Sequence, residues 1–173
     1  MLFSCLGPQD LTRFSLTGGE VYDAATSYID RAFNIYDLLS RYFSSSETTQ
    51  FRTLQAMTGT LISGSAAVEF FARARFSDAD LDLYVEYRHA ALLGEWLVDT
   101  GYKFVARPHQ NARFPDVINN LVAQGSHLWD LTYTGHGITG VYAFIKERPY
   151  RKIEIVASAN SAIELVLDFH SST

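Results

Sequence analysis

Leu61-Ile62-Ser63-Gly64-Ser65 and, after a helical stretch, Asp78-Ala79-Asp80-Leu81-Asp82-Leu83-Tyr84-Val85-Glu86 are the two runs around which the 173-residue chain is organised. Residues two apart on an extended strand share a side, so Asp80 and Asp82 are expected to aim together while Leu81, Leu83 and Val85 line the opposite, buried side. Carboxylates held that close repel, or one of them keeps its proton, unless a cation joins them. A divalent ion with hard oxygen ligands suits such a pair. The same alternation also describes an ordinary half-exposed strand with a solvated face, so the acid pair alone does not settle the chemistry.

Two further runs bear on the choice. The apolar Leu61-Ile62 ends at Gly64-Ser65, after which Ala66 to Arg75 has helical spacing, with Ala67, Phe70, Phe71 and Ala74 on one stripe. A small-residue turn that opens a helix leaves backbone amides free at the positive end of the helix dipole, which favours a phosphate group. Far along the chain, Arg151-Lys152-Ile153-Glu154-Ile155-Val156 reads as a strand with one acid between two isoleucines. With Ile153 and Ile155 in the core, Glu154 must open onto the other sheet face, where it would bring a third carboxylate to the pair.

Spacing excludes two rival motifs. Asp78-x-Asp80-x-Asp82 begins like a calcium-binding EF-hand loop, which needs glycine at its sixth position and an acid at its twelfth. Those positions are Leu83 and His89. Gly59 to Ser65 lacks the Gly-Lys-Ser/Thr ending of a Walker phosphate loop. His89, His109, His127, His136 and His170 show no metal-ligand spacing and receive no role. Arg73, Arg75 and Lys152 are candidates to neutralise a triphosphate, although solvated surface charge is the commoner fate of such residues. Trp96 and Trp129 read as core or partly buried aromatics.

A hydrophobic content of 47% over this length supports one core with a small appendage. The single cysteine, Cys5, excludes an intrachain disulfide framework, and no Asn-x-Ser/Thr site is present, which points to an intracellular compartment, cytoplasm or nucleus. No apolar run approaches membrane-spanning length. The net charge of -5 argues against a broad nucleic-acid surface and favours a small or protein acceptor.

The helix and strand signals give an α/β (α+β) chain. Residues 1–43 read as all-helical: Pro8 to Phe14 starts a helix, and Val21, Ala25, Tyr28, Ala32, Tyr36 and Leu39 recur at helical spacing, with Asn34 placed to cap a fresh helix. Ser44 to Thr49 reads as a polar break, and 44–57 as linker and helix. His89 to Thr100 predicts a helix with Leu92, Leu93, Trp96 and Leu97 inward and Gly101 just past its end, followed by a strand over Tyr102 to Ala106. Pro108 to Pro115 reads as a loop, and Asp116 to Ala123 as a short helix ending at Gly125. Gly140 to Lys146 and Lys152 to Ala157 form a predicted hairpin, and Ser161 with Glu164 has capping-box spacing for a helix reaching about His170.

A glycine-serine turn, a helix, an Asp-hydrophobic-Asp-hydrophobic strand and a later strand with one more acid resemble the nucleotidyltransferase superfamily related to polymerase beta. The resemblance covers roughly Thr58 to His170. It implies a mixed sheet flanked by helices, with Gly64 and Ser65 as the phosphate-binding turn. Asp80 and Asp82 correspond to its two metal-binding acids and Glu154 to its third carboxylate, with one or two magnesium ions. Fourteen residues separate Ser65 from Asp80, slightly more than is usual in the superfamily.

Leu6-Gly7-Pro8-Gln9-Asp10-Leu11-Thr12-Arg13-Phe14 resembles the middle of an F-box, without its preceding Leu-Pro-x-Glu helix. That likeness implies a truncated segment whose ancestral partner is a Skp-type adaptor of cullin ubiquitin ligases. The combination resembles a group of fungal proteins in which an F-box-like segment precedes a nucleotidyltransferase-like domain, here residues 58–173. Such relatives continue beyond Ser161 to Ser171, so this domain is expected to be truncated. The expected activity is magnesium-dependent transfer of a nucleoside monophosphate from a nucleoside triphosphate to an acceptor. The alternative is a non-catalytic interaction module, an F-box-type adaptor carrying an inactive nucleotidyltransferase fold.

Overall fold

The computed structural model describes residues 2–76, 79–108, 110–123 and 137–170. Asp78, His109, Gly125, His127, Trp129 and His136 lie outside the described residues, as does the side chain of His170.

A short 3-10 helix, Leu2–Cys5, leads into α1 (Pro8–Ser15), α2 (Gly19–Ala32) and α3 (Ile35–Leu39). Proline opens α1, where its missing N–H costs nothing. Asn34 caps α3 by accepting from the Tyr36 amide, so the 21–39 periodicity is split into two helices at the residue whose side chain can hold the break. The stretch read as a polar break is instead the start of α4 (Ser45–Thr58). Ser44 accepts from the Glu47 amide and the Glu47 carboxylate accepts from the Ser44 amide, a reciprocal cap that turns hydroxyl-rich sequence into a helix start.

The remaining elements are β1 (Leu61–Ser63), α5 (Gly64–Ala72), β2 (Leu81–Glu86), α6 (Tyr87–Asp99), β3 (Lys103–Val105), α7 (Phe114–Ala123), β4 (Ile138–Glu147), β5 (Tyr150–Ser158) and α8 (Ala162–His170). The strands form one mixed sheet in the order β1-β2-β5-β4-β3. β2 and β5 run parallel, and the other pairs are antiparallel. The chain is thus an α/β fold with helices flanking a five-stranded mixed sheet and a helical amino-terminal extension.

One face of the sheet carries the main core. Leu81, Leu83 and Val85 of β2 and Ile153, Ile155 and Ala157 of β5 are fully buried there, as the alternation requires. α6 packs on them through Ala90, Leu93 and Leu97. Leu92, expected inward, is 43% exposed, because the buried stripe of α6 runs one residue away through Ala90, Leu93 and Gly94. Gly101 ends that helix with a φ of 88°. Its amide and that of Tyr102 donate back to Val98 and Leu97, satisfying carbonyls of the last turn. In α5 the buried positions are Ala66 and Glu69, and Phe71 faces solvent.

The amino-terminal extension shares the main core. Leu38, Leu39, Tyr42 and Phe43 are buried in it, and the Phe43 ring lies against Phe51, Trp96 and Tyr102. On the opposite sheet face α8 sets Leu165 against Val141 and Val156, with Tyr84 packed alongside. Among the described residues, no helix is long and apolar enough to cross a membrane.

Candidate functional site

Asp82 and Glu154 are partners across the parallel β2–β5 pair, and Ser63 is the partner of Asp82 across the antiparallel β1–β2 pair. Since Leu81, Leu83, Ile153 and Ile155 point into the core, Asp82 and Glu154 point to the other face. They stand one pleat nearer the strand starts than Tyr84 and Val156. Asp80 precedes the first residue of β2. The register therefore brings the three predicted acids to one end of one sheet face.

Gly64 is held against this end. It has a φ of 63°, and a Cβ placed on it would lie 1.9 Å from Asp82 Oδ2. The position admits only glycine on both counts, backbone conformation and space. Gly64 is the first residue of α5; Ser63 makes no side-chain cap there, and the first turn carries no acid. Ser65 is exposed at the same helix start. The turn read as a phosphate grip is thus in direct apposition to the second acid of the pair.

Lys152, two residues before Glu154 and on the same side of β5, reaches into the acids. Its Nζ donates to Asp80 Oδ2 at 2.6 Å and lies 3.1 Å from Glu154 Oε1. Arg107, just after β3, lies 3.9 Å from the same Glu154 oxygen. The hydrogen bond to Asp80, reinforced by Glu154, raises the Lys152 pKa and keeps it charged. Among the described residues the Asp82 side chain has neither a hydrogen bond nor an ion pair. Burial, and then the nearby charges of Glu154 and Asp80, push its carboxyl up to about 6, against the opposing pull of Lys152.

As the side chains stand, no three His, Cys, Asp or Glu residues among the described residues are arranged to hold a metal ion. The donor chemistry nevertheless fits one hard divalent ion at Asp80 and Asp82: both are oxygen donors, Asp82 is unpaired among the described residues, and the small Gly64 leaves its carboxylate room. The fit to a second ion is poorer, because Glu154 is engaged by Lys152 and Arg107.

Sequence reasoning did not foresee the buttress behind Asp80. The Tyr42 hydroxyl donates to the Ala79 carbonyl at 2.6 Å, and Arg41 donates to Phe76 O at 3.1 Å while pairing with the buried Glu69 of α5. Arg151 in turn donates to the Arg41 carbonyl. Arg41, Tyr42, Ala79, Asp80, Tyr150, Arg151 and Lys152 line a cavity of about 300 Å³ at this end of the sheet. Arg73, considered for a triphosphate, points away from the acids: it donates to Phe3 O, Leu6 O and the Tyr28 hydroxyl, tying α5 to the amino-terminal helices.

Comparison of the chain with protein-family models, curated proteins and solved structures found no match.

Proposed function

We propose that this chain is a nucleotidyltransferase-like protein that binds a nucleoside triphosphate with magnesium and transfers its nucleoside monophosphate to an acceptor. The observation that carries the reading is the convergence of Asp80, Asp82 and Glu154 on one end of a sheet face, with Gly64 packed against Asp82 at the start of α5. In this reading Gly64 and Ser65 hold the terminal phosphates at the amides of the helix start. Asp80 and Asp82 hold the ion, whose chemistry when bound is charge neutralisation on the phosphates. An acceptor hydroxyl attacks the α-phosphorus, the bond from phosphorus to the bridging oxygen breaks, and pyrophosphate leaves as the hydroxyl proton passes to solvent. Positioning and electrostatics supply the rate.

Calorimetry on the purified chain tests this. Binding of a nucleoside triphosphate that requires magnesium and disappears in both Asp80→Asn and Asp82→Asn supports it. Equal affinity in the wild type and both variants at matched magnesium rejects it.

The second reading is a non-catalytic interaction module that has kept the fold. It is favoured by the pairing of Glu154 with Lys152 and Arg107. Glu154→Gln separates the two. In an enzyme the substitution releases Lys152 and Arg107 beside the ion and slows transfer while nucleotide binding is kept, whereas in a module it changes only local packing.

A further inference from the structure

Lys152 lies between two of the three acids. Its ammonium is hydrogen-bonded to Asp80 Oδ2 and 3.1 Å from Glu154 Oε1, so it bridges the acid that opens β2 and the acid of β5. Asp80 keeps its other oxygen, and Asp82 is unpaired among the described residues. The Asp82 carboxylate thus lies against Gly64, while Lys152 takes one oxygen of Asp80 and one of Glu154. Lys152 cannot be carried elsewhere by a strand shift, because its backbone is fixed in the ladder opposite Ile145, with Ile153 fully buried beside it.

We infer that Lys152 is the second cation of this cluster, so that the site takes one divalent ion and not two. The inference rests on the metal-binding reading above. Charge supports it. Lys152 and Arg107 both approach Glu154 and together carry the charge of one divalent ion. Adding two ions to acids already served by two side-chain cations would leave the cluster strongly positive before any phosphate arrived. A tethered ammonium also costs less entropy to place than a free ion, and it neutralises without a coordination sphere to satisfy.

The test is the stoichiometry of Mn²⁺ alone, measured by calorimetry and by the loss of the free-ion electron paramagnetic resonance signal. The expected result is about one ion per wild-type chain and about two in Lys152→Met, whose similar length keeps the aliphatic packing but removes the charge. Arg107→Gln removes a more distant cation and is expected to stay at about one. Lys152→Gln, with circular dichroism to confirm the fold, replaces the methionine variant if that chain does not fold. Two ions in the wild type overturn the inference, as does one ion in the folded Lys152 variant. A second ion gained equally in Arg107→Gln also overturns it, since net charge and not the placement of Lys152 would then be responsible. Those outcomes leave the metal-binding reading standing. Absence of Mn²⁺ binding from every variant removes that reading and the inference together.

Discussion

The Tyr42 hydroxyl donates to the carbonyl of Ala79, the residue immediately before Asp80, across 37 positions of sequence. Tyr42 is itself held: its carbonyl accepts from the buried Tyr102 hydroxyl at 2.7 Å, and its neighbour Arg41 donates to Phe76 O. A residue of the amino-terminal extension thus fixes the approach of the chain to the first acid of the candidate site. In this fold the extension and the site form one mechanical unit.

Tyr42→Phe isolates that link, because it removes a single oxygen and keeps the ring in the core. Losing the hydrogen bond should cost about 1 kcal/mol of stability. If the bond also positions Asp80, affinity for a magnesium-nucleotide should fall severalfold while melting remains cooperative. Thermal melts and calorimetry on the same samples read both effects. A stability loss with unchanged affinity would assign Tyr42 a packing role alone.

The buried face of the extension also bears on the adaptor likeness. Leu39 is fully buried and Phe43 is 3% exposed, stacked on Phe51 and tilted against Trp96. A partner that buries these side chains must first extract them from the core, a cost comparable to a large-to-small core substitution. A purified Skp-type adaptor should therefore bind the full chain weakly or not at all. Phe43→Ala should destabilise the whole fold by roughly 3–5 kcal/mol. Tight adaptor binding by the folded wild type would show that Leu16, Tyr22 and Tyr36, which are exposed, suffice as a docking surface.

Two glycines with nearly the same φ offer a controlled comparison. Gly64 and Gly59 have φ of 63° and 67°, yet a Cβ at Gly64 would overlap the Asp82 carboxylate while one at Gly59 would meet nothing. Alanine at either position should cost about 1 kcal/mol for the left-handed conformation. Only Gly64→Ala should, in addition, displace Asp82 and abolish magnesium-dependent nucleotide binding. Equal binding by the two variants would mean that Asp82 need not keep its place beside the turn.

What could be read from sequence was what depends on local period and local caps. The leucines of β2, the hairpin of β4 and β5, the cap at Asn34 and the helix opened by Ser161 each follow from residues a few positions apart. The Ser44–Glu47 cap was equally local, but its serines and threonines also match a loop, and only the glutamate three residues on distinguishes the two. The buried face of α6 runs one residue away from the expected one, which leaves Leu92 exposed. The salt bridges of Lys152 were not legible, because they require the parallel register of β2 on β5, which joins Asp80 to a residue 72 positions away. The Tyr42 buttress was hidden for the same reason.

Asp82, unpaired among the described residues, makes stability depend on pH. Burial, then the charges of Glu154 and Asp80, push its carboxyl up to about 6 from the ordinary 3.8. A raised acid binds its proton more tightly when folded, so its stabilising contribution is complete below the unfolded value and is lost as pH rises through the folded one. At neutral pH the ionised Asp82 therefore opposes folding, by roughly 1–3 kcal/mol when discounted for its partial exposure. Asp82→Asn keeps the shape and removes the charge. In metal-free buffer the variant should melt at a higher temperature than the wild type, with an advantage that grows between about pH 4 and 6 and is constant from there to pH 8. Added magnesium should reverse the order at pH 7.5, because the ion stabilises only the chain that retains the ligand. A wild type more stable than Asp82→Asn throughout the metal-free series would mean that Asp82 is held by an interaction worth more than its repulsion from Glu154 and Asp80. The acid cluster would then be a structural feature of the sheet, with no need of an ion to relieve it.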